Sequence, residues 1–241
     1  MLNISHLTKT YGDKHAVDDL TLNIAPGEIC GFIGHNGAGK TTTLKSVAGL
    51  IRFDAGEITV DGKSVTRQAL DVKRVISYIP DNPDLYEYMP AIKFLNFVAD
   101  VYNVSARDRK TRIDRYAEIF ELTSDLAQPI SAYSHGMKQK LALIAALIHE
   151  PKLMLMDEPF VGLDPKAAFL VRGIMREVCD AGGAIFFSTH VLETAEKLCD
   201  NVAIISRGKL AAHGKMDAVR GDKSLESVFF ELDSKEDAAH E

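Results

Sequence analysis

Gly34-His35-Asn36-Gly37-Ala38-Gly39-Lys40-Thr41-Thr42 reads G-x-x-x-x-G-K-T, the Walker A phosphate loop. The residues before it, Glu28-Ile29-Cys30-Gly31-Phe32-Ile33, form an apolar run of strand length, and Thr43 to Leu50 suit a helix ending near Gly49. Strand, glycine loop and helix together are the context this motif requires. Glycines let backbone N–H groups turn inward around an anion, and the helix N-terminus adds its partial positive charge. Gly34, Asn36, Gly37, Ala38, Gly39 and Thr42 would therefore surround the phosphates of a nucleotide. Lys40 would reach the β- and γ-phosphates, and the Thr41 hydroxyl would ligate Mg²⁺. His35 falls at a variable position of the loop. A phosphate loop fed by a buried strand predicts an α/β fold.

Working outward, residues 2–8 and 15–24 alternate apolar and polar positions around Gly12-Asp13, which predicts two antiparallel strands. Tyr11 stands at their turn and reads equally as a turn aromatic or a nucleotide contact. Asp61-Gly62 closes a second hairpin after residues 56–60, and Val72 to Ile79 reads as a strand stopped by Pro80. Residues 91–102 and 108–122 carry apolar positions at helical spacing. Ser131 to Gly136 is a small-residue loop, followed by an apolar helix from about Met137 to His149. Leu153-Met154-Leu155-Met156 is a buried strand ending in two acids, Asp157 and Glu158. Asp164-Pro165 opens an amphipathic helix over 165–180. Ala184 to Ser188 is another buried strand, delivering Thr189-His190. A helix and strands at 202–206 and 209–212 complete the core, and the polar, acidic residues 233–241 are expected to fray.

The 241 residues suffice for one large domain or two small lobes. A net charge of -6 argues against broad affinity for nucleic acid. The three cysteines, Cys30, Cys179 and Cys199, are scattered, which fits reduced core thiols rather than a disulfide framework or metal site. The longest apolar stretch, Leu141 to Ile148, is too short to span a bilayer. Any service to a membrane would run through a partner.

Ligands of open α/β sheets bind at the carboxyl ends of the strands. The Walker A loop, Asp157, Glu158 and His190 all arrive at that edge. Phosphoryl transfer to water needs a metal clamp, an oriented water and a contact to the γ-phosphate. Asp157 would hold Mg²⁺ with Thr41, Glu158 would orient or deprotonate the water, and His190 would hydrogen-bond the γ-phosphate. Singly, these are a helix cap, a solvated acid and a core histidine; jointly, after a phosphate loop, they read as a catalytic edge.

With these motifs in order, the chain resembles the nucleotide-binding subunit of an ATP-binding cassette (ABC) transporter. Tyr133-Ser134-His135-Gly136-Met137 lies where that family has its LSGGQ signature, and Val161-Gly162-Leu163-Asp164-Pro165 resembles its D-loop. The resemblance implies a P-loop NTPase with a RecA-like core, an antiparallel β subdomain and a helical subdomain. It divides one ATPase domain over 1–232 into core and β subdomain (1–82 and 151–220) and helical subdomain (about 83–150), with an acidic flexible tail at 233–241. It implies that Tyr11 stacks on adenine and His190 is the switch histidine. It further implies ATP and Mg²⁺ as ligands, and a second ABC ATPase subunit, as homodimer or heterodimer. Ser134 and Gly136 would then meet the ATP of the partner subunit. Two departures stand out. His135 and Met137 replace signature residues, and Asp81 stands where the Q-loop glutamine is usual; a carboxylate there still suits Mg²⁺. The D-loop and signature resemble those of bacterial exporters, implying a separate membrane permease and a cytoplasmic protein held at the inner face of the cell membrane through it. The loop Asn82 to Pro90 precedes the helices, and Tyr86, Glu87 and Tyr88 would form its docking surface for the permease. Alternatives of another class are a soluble ABC ATPase in cluster assembly or in nucleic-acid- or ribosome-linked work, and a regulatory nucleotide binder that does not hydrolyse.

Overall fold

Two strands open the chain, β1 (Leu2–Tyr11) and β2 (Lys14–Ile24), in a computed structural model that describes residues 1–238. They pair antiparallel, Leu2 opposite Ile24 and Tyr11 opposite Lys14. β3 (Ile29–Ile33) feeds the glycine loop, and α1 (Lys40–Val47) starts at the loop lysine, ahead of the Thr43 start expected, because Gly39 already stands as its N-cap. β4 (Ala55–Val60) and β5 (Lys63–Ser64) make the Asp61-Gly62 hairpin.

The strand expected over Val72 to Ile79 divides. Its first residues belong to α2 (Ala69–Lys73), and only β6 (Ile76–Ile79) is extended. The Val72 N–H donates to the Gln68 carbonyl, closing a helical turn that buries Val72 while Leu70 stays exposed. An apolar residue every few positions served this short helix as well as a strand.

α3 (Ala91–Val101) and α4 (Ala106–Ile119) follow, the latter capped by Ser105, whose side chain accepts the Asp108 N–H. The small-residue loop contains a 3-10 turn (Ile130–Ala132). α5 (His135–Leu147) then begins two residues before the expected Met137, because the Ser134 side chain caps it by accepting the Met137 N–H. β7 (Leu153–Asp157), α6 (Pro165–Asp180), β8 (Ala184–Thr189) and α7 (Leu192–Leu198) come next. β9 (Asn201–Ser206) and β10 (Lys209–Lys215) form the last hairpin, before α8 (Met216–Arg220) and α9 (Leu225–Ala238). The stretch expected to fray from 233 thus lies within α9 through Ala238; residues 239–241 fall outside the described residues.

The strands form a four-stranded antiparallel sheet, β2-β1-β4-β5, and a six-stranded sheet, β10-β9-β3-β8-β7-β6. In the larger sheet β9, β3, β8, β7 and β6 are parallel and β10 is antiparallel. Its central strands β3, β7 and β8 are buried at every position because both faces are covered, and alternate residues serve alternate cores. Cys30, Phe32, Leu153, Leu155 and Phe186 join α1 and the smaller sheet. Ile29, Ile33, Met154, Met156 and Phe187 join the helices of the opposite face. Strand register then sets Asp157 beside Ser188, and Ile33 beside Thr189. The phosphate loop, the two acids and His190 are thereby delivered to one edge.

Candidate functional site

The glycine loop owes its path to backbone crowding. A side-chain carbon on Gly39, whose φ is 113°, would lie 2.3 Å from the Ala16 carbonyl oxygen, and one on Gly34 would lie 2.4 Å from that of Ile205. Only glycine lets β2 and β9 press this closely on the loop. No side chain caps α1, so its first turn keeps the anion-binding character of an open helix N-terminus. Lys40 is 6% exposed. Its Nζ donates to the carbonyls of Gly34 at 2.5 Å and His35 at 3.2 Å. Burial pushes its pKa down, against the pull of Glu158 and Asp157.

Asp157 ends β7 and is buried. Its two oxygens are divided: Oδ2 accepts the Thr41 hydroxyl at 2.7 Å, and Oδ1 accepts the Ser188 hydroxyl at 2.5 Å. Glu158 turns away from the strand with φ of 49°, a left-handed conformation costly for a non-glycine residue. Its N–H donates to both the carbonyl and the hydroxyl of Ser188. The Glu158 carboxylate lies 2.9 Å from His190 Nδ1 and 4.0 Å from Lys40 Nζ. His190 thus meets Glu158 through Nδ1, a contact the sequence does not announce.

Tyr11, Asn36, Gly37, Gly39, Lys40, Thr41, Thr42, Asp81, Asp157 and Glu158 line one cavity of about 350 Å³, together with Lys14, Ala16 and His35. Tyr11 is half exposed at its rim, with the Lys9 ammonium over its ring. Asp81 and Asp157 both hold the neighbouring Tyr78 hydroxyl up in pKa, after burial, which is the larger cause. Gly34 and Ala38 shape the loop from behind and do not line the cavity. Ser134 and Gly136 are also absent from it. They lie instead at the start of α5, where the His135 ring packs on Gly162, 2.5 Å from the position a side-chain carbon there would take.

Sequence reasoning missed Ser188 and Lys14. Ser188, fully buried, ties the two acids together. Its only signal was a serine closing an apolar strand two residues before His190. Lys14 falls between the Gly12-Asp13 turn and the strand expected from residue 15, and the β1–β2 pairing brings it to the loop.

The donor set suits Mg²⁺: a hydroxyl and a carboxylate in contact, with the Asp81 and Glu158 carboxylates lining the same cavity. Among the described residues no cluster of three or more His, Cys, Asp or Glu is arranged to hold a metal. That accords with an ion held by one or two carboxylates and substrate phosphates rather than by a protein cage.

Comparison with known proteins shows the family. Residues 17–161 match the model of the ABC transporter family. The ABC-type transporter ATP-binding protein EcsA of Bacillus subtilis (strain 168) is 33% identical over 100% of this chain and 99% of its own. The linearmycin resistance ATP-binding protein LnrL of the same strain is 33% identical over 89% of this chain and 69% of its own. A solved ATP-binding subunit of an ABC transporter superposes with a TM-score of 0.93 at 34% identity, covering 96% of this chain and 99% of that one.

Proposed function

The chain belongs to the ABC transporter family and is an ATP-binding ATPase subunit of it; from that premise we propose that it energises a separate membrane permease, in the direction of export. The observation that carries the catalytic part is the divided carboxylate of Asp157, held between Thr41 and Ser188 beside Lys40 and the Glu158–His190 pair. In this reading the β- and γ-phosphates take the Lys40 ammonium from the Gly34 and His35 carbonyls. Gly34, Asn36, Gly37, Ala38, Gly39 and Thr42 supply the surrounding loop, and Tyr11 takes the adenine. Thr41 and Asp157 would hold Mg²⁺, with Asp81 as a further oxygen donor, and the ion would supply positive charge to the phosphate oxygens. Glu158 accepts the proton of the attacking water. His190 Nδ1 holds the Glu158 carboxylate, and its Nε2 serves the γ-phosphate.

Residues 1–82 and 151–220 would form the core with its β subdomain, and 83–150 the helical subdomain. Ser134 and Gly136 stand apart from the cavity of their own chain, which supports their meeting the ATP of a second cassette. The export direction rests on the D-loop and signature resemblance and on the resistance role in the name of LnrL. No described helix is long and apolar enough to cross a membrane, so the reading places the chain on the cytoplasmic face of the membrane through its permease. The transporter names of the relatives favour this over cluster assembly or nucleic-acid work.

Glu158→Gln tests the assignment. The amide keeps the shape and loses the base, so hydrolysis should fall ~10²–10⁴-fold. ATP should still bind and should trap a dimer of doubled mass in light scattering. Turnover at the wild-type rate would remove Glu158 from its role.

A further inference from the structure

The phosphate loop is held from outside by α9, a helix that carries none of the ATP-binding motifs. Phe229 is 7% exposed, and its ring meets the His35 imidazole at 4.8 Å between centroids, tilted by 57°. One turn on, Asp233 Oδ2 lies 3.3 Å from His35 Nε2. His35 is in turn a backbone anchor of the loop: its carbonyl accepts the Ala38 N–H at 3.2 Å and the Lys40 ammonium at 3.2 Å. At its other end α9 is fastened to α7, the helix that follows His190. Leu225 is fully buried there, and Glu196 of α7 accepts both the Leu225 N–H and the Arg220 guanidinium. A cleft of about 360 Å³ between α9 and the loop has His35, Asn36 and His190 on one wall and Glu226, Phe229 and Phe230 on the other.

We propose that α9 is a strut for the phosphate loop, in which Phe229 and Asp233 are positioning residues that fix His35 and, through its carbonyl, poise Lys40 for the nucleotide. The proposal rests on reading Gly34 to Thr42 as the ATP loop. Neither Phe229 nor Asp233 need touch the nucleotide. They act on the free energy of arranging the loop, so their loss should appear mainly in binding.

The test uses the full chain, with ATP affinity read by displacement of a fluorescent ATP analogue and with kcat and KM measured in parallel. Phe229→Ala should weaken ATP binding about two- to tenfold, the range of one aromatic contact. KM should rise with a smaller change in kcat. In a His35→Ala background the same substitution should alter affinity by less than about twofold, because the ring it acts through is gone. Leu225→Ala removes a buried side chain from the same helix at a distance from His35. It should lower the thermal midpoint and weaken ATP affinity less than Phe229→Ala does. If Phe229→Ala does not fold, Phe229→Leu and Asp233→Asn carry the measurement, with a smaller weakening in the same direction. Unchanged affinity in these variants, an equal loss in the His35→Ala background, or an equal loss in Leu225→Ala overturns the strut. Lys40→Ala with wild-type ATP affinity would instead overturn the loop reading beneath it, and the two failures are separable.

Discussion

Glu158 follows Asp157 directly, yet the two acids face different partners because the backbone turns between them. The left-handed φ of Glu158 swings its carboxylate off the strand direction, and the two bonds from its N–H to Ser188 hold the turn. Asp157 is left facing Thr41, and Glu158 facing His190. A histidine at 2.9 Å fixes which way the carboxylate points. His190→Ala should therefore slow hydrolysis by roughly one to two orders of magnitude, the worth of a hydrogen bond to a charged group. ATP affinity, set chiefly by the loop, should stay within about twofold. Full hydrolysis in that variant, measured as phosphate release, would make His190 a structural residue only. Lys40, Thr41, Asp157 and Glu158 were legible because each follows a local pattern: a glycine loop, or acids at the end of an apolar run. Ser188 was not, since a serine closing a buried strand carries no such pattern, and only the register of β7 against β8 sets it beside Asp157. His35 was likewise dismissed as variable, because the side chains it meets lie on the last helix of the chain.

At the scale of elements, β3, β7, β8 and α6 could be read closely, and the short or closing pieces could not. α6 has the bounds its Asp164-Pro165 start announced, with Asp164 accepting the Ala167 N–H at 2.8 Å. α2 and the start of α5 departed because side-chain and backbone bonds closed a turn earlier than apolar spacing indicated. α9 went unread although Leu225, Val228, Phe229 and Leu232 have helical spacing, because the following acidic residues suggested a tail. One element contact carries its own prediction. His149, past the end of α5, stacks on Tyr102 after α3 at 3.7 Å, and its Nε2 lies 3.0 Å from the Ile76 carbonyl oxygen of β6. Burial, the leading cause, lowers its pKa from 6.5 to about 4; the Arg112 charge adds to this, and the Ile76 hydrogen bond opposes it. The sign follows. Above pH 6.5 the ring is neutral folded or unfolded, and no stability is lost. As pH falls below that, the unfolded chain takes the proton first, so stability declines until the folded ring also protonates near pH 4. By pH 5 the loss should be on the order of 2 kcal/mol. His149→Gln cannot titrate, so the difference in urea-unfolding free energy between wild type and variant should shift against the wild type as pH is lowered from 7 to 5. A difference constant across that range would show that His149 does not carry this linkage.

At the scale of the molecule, no described helix is long and apolar enough to cross a membrane, and the proposed permease would be met through a surface. The loop after β6 divides by side chain in a way that suits one. Leu85 and Met89 are partly buried against the helical core, whereas Tyr86 is 61% and Tyr88 94% exposed. The loop is anchored rather than loose. Backbone bonds run from Ile130 N–H to the Met89 carbonyl and from Ser131 N–H to the Glu87 carbonyl, and Glu87 pairs with Lys138 at 2.5 Å. Tyr86 also continues into α3. Its ring lies 6.2 Å from that of Phe94 and 6.0 Å from that of Phe97, which is itself 46% exposed. An aromatic surface on a fixed backbone binds with little ordering cost, and tyrosines leave polar tips for a wet rim. Asp81, at the start of the same loop, lines the glycine-loop cavity, so whatever the tyrosines hold would sit one short segment from the proposed phosphate site. Tyr86→Ser with Tyr88→Ser should therefore weaken association with the permease, by about tenfold or more if the pair is central to the contact. ATP binding to the isolated subunit should stay nearly unchanged, since neither tyrosine lines the cavity. Copurification from detergent-solubilised membranes reads the first effect and nucleotide titration the second. A double variant that copurifies at wild-type yield, with its ATPase still stimulated by the permease, would move the docking surface elsewhere.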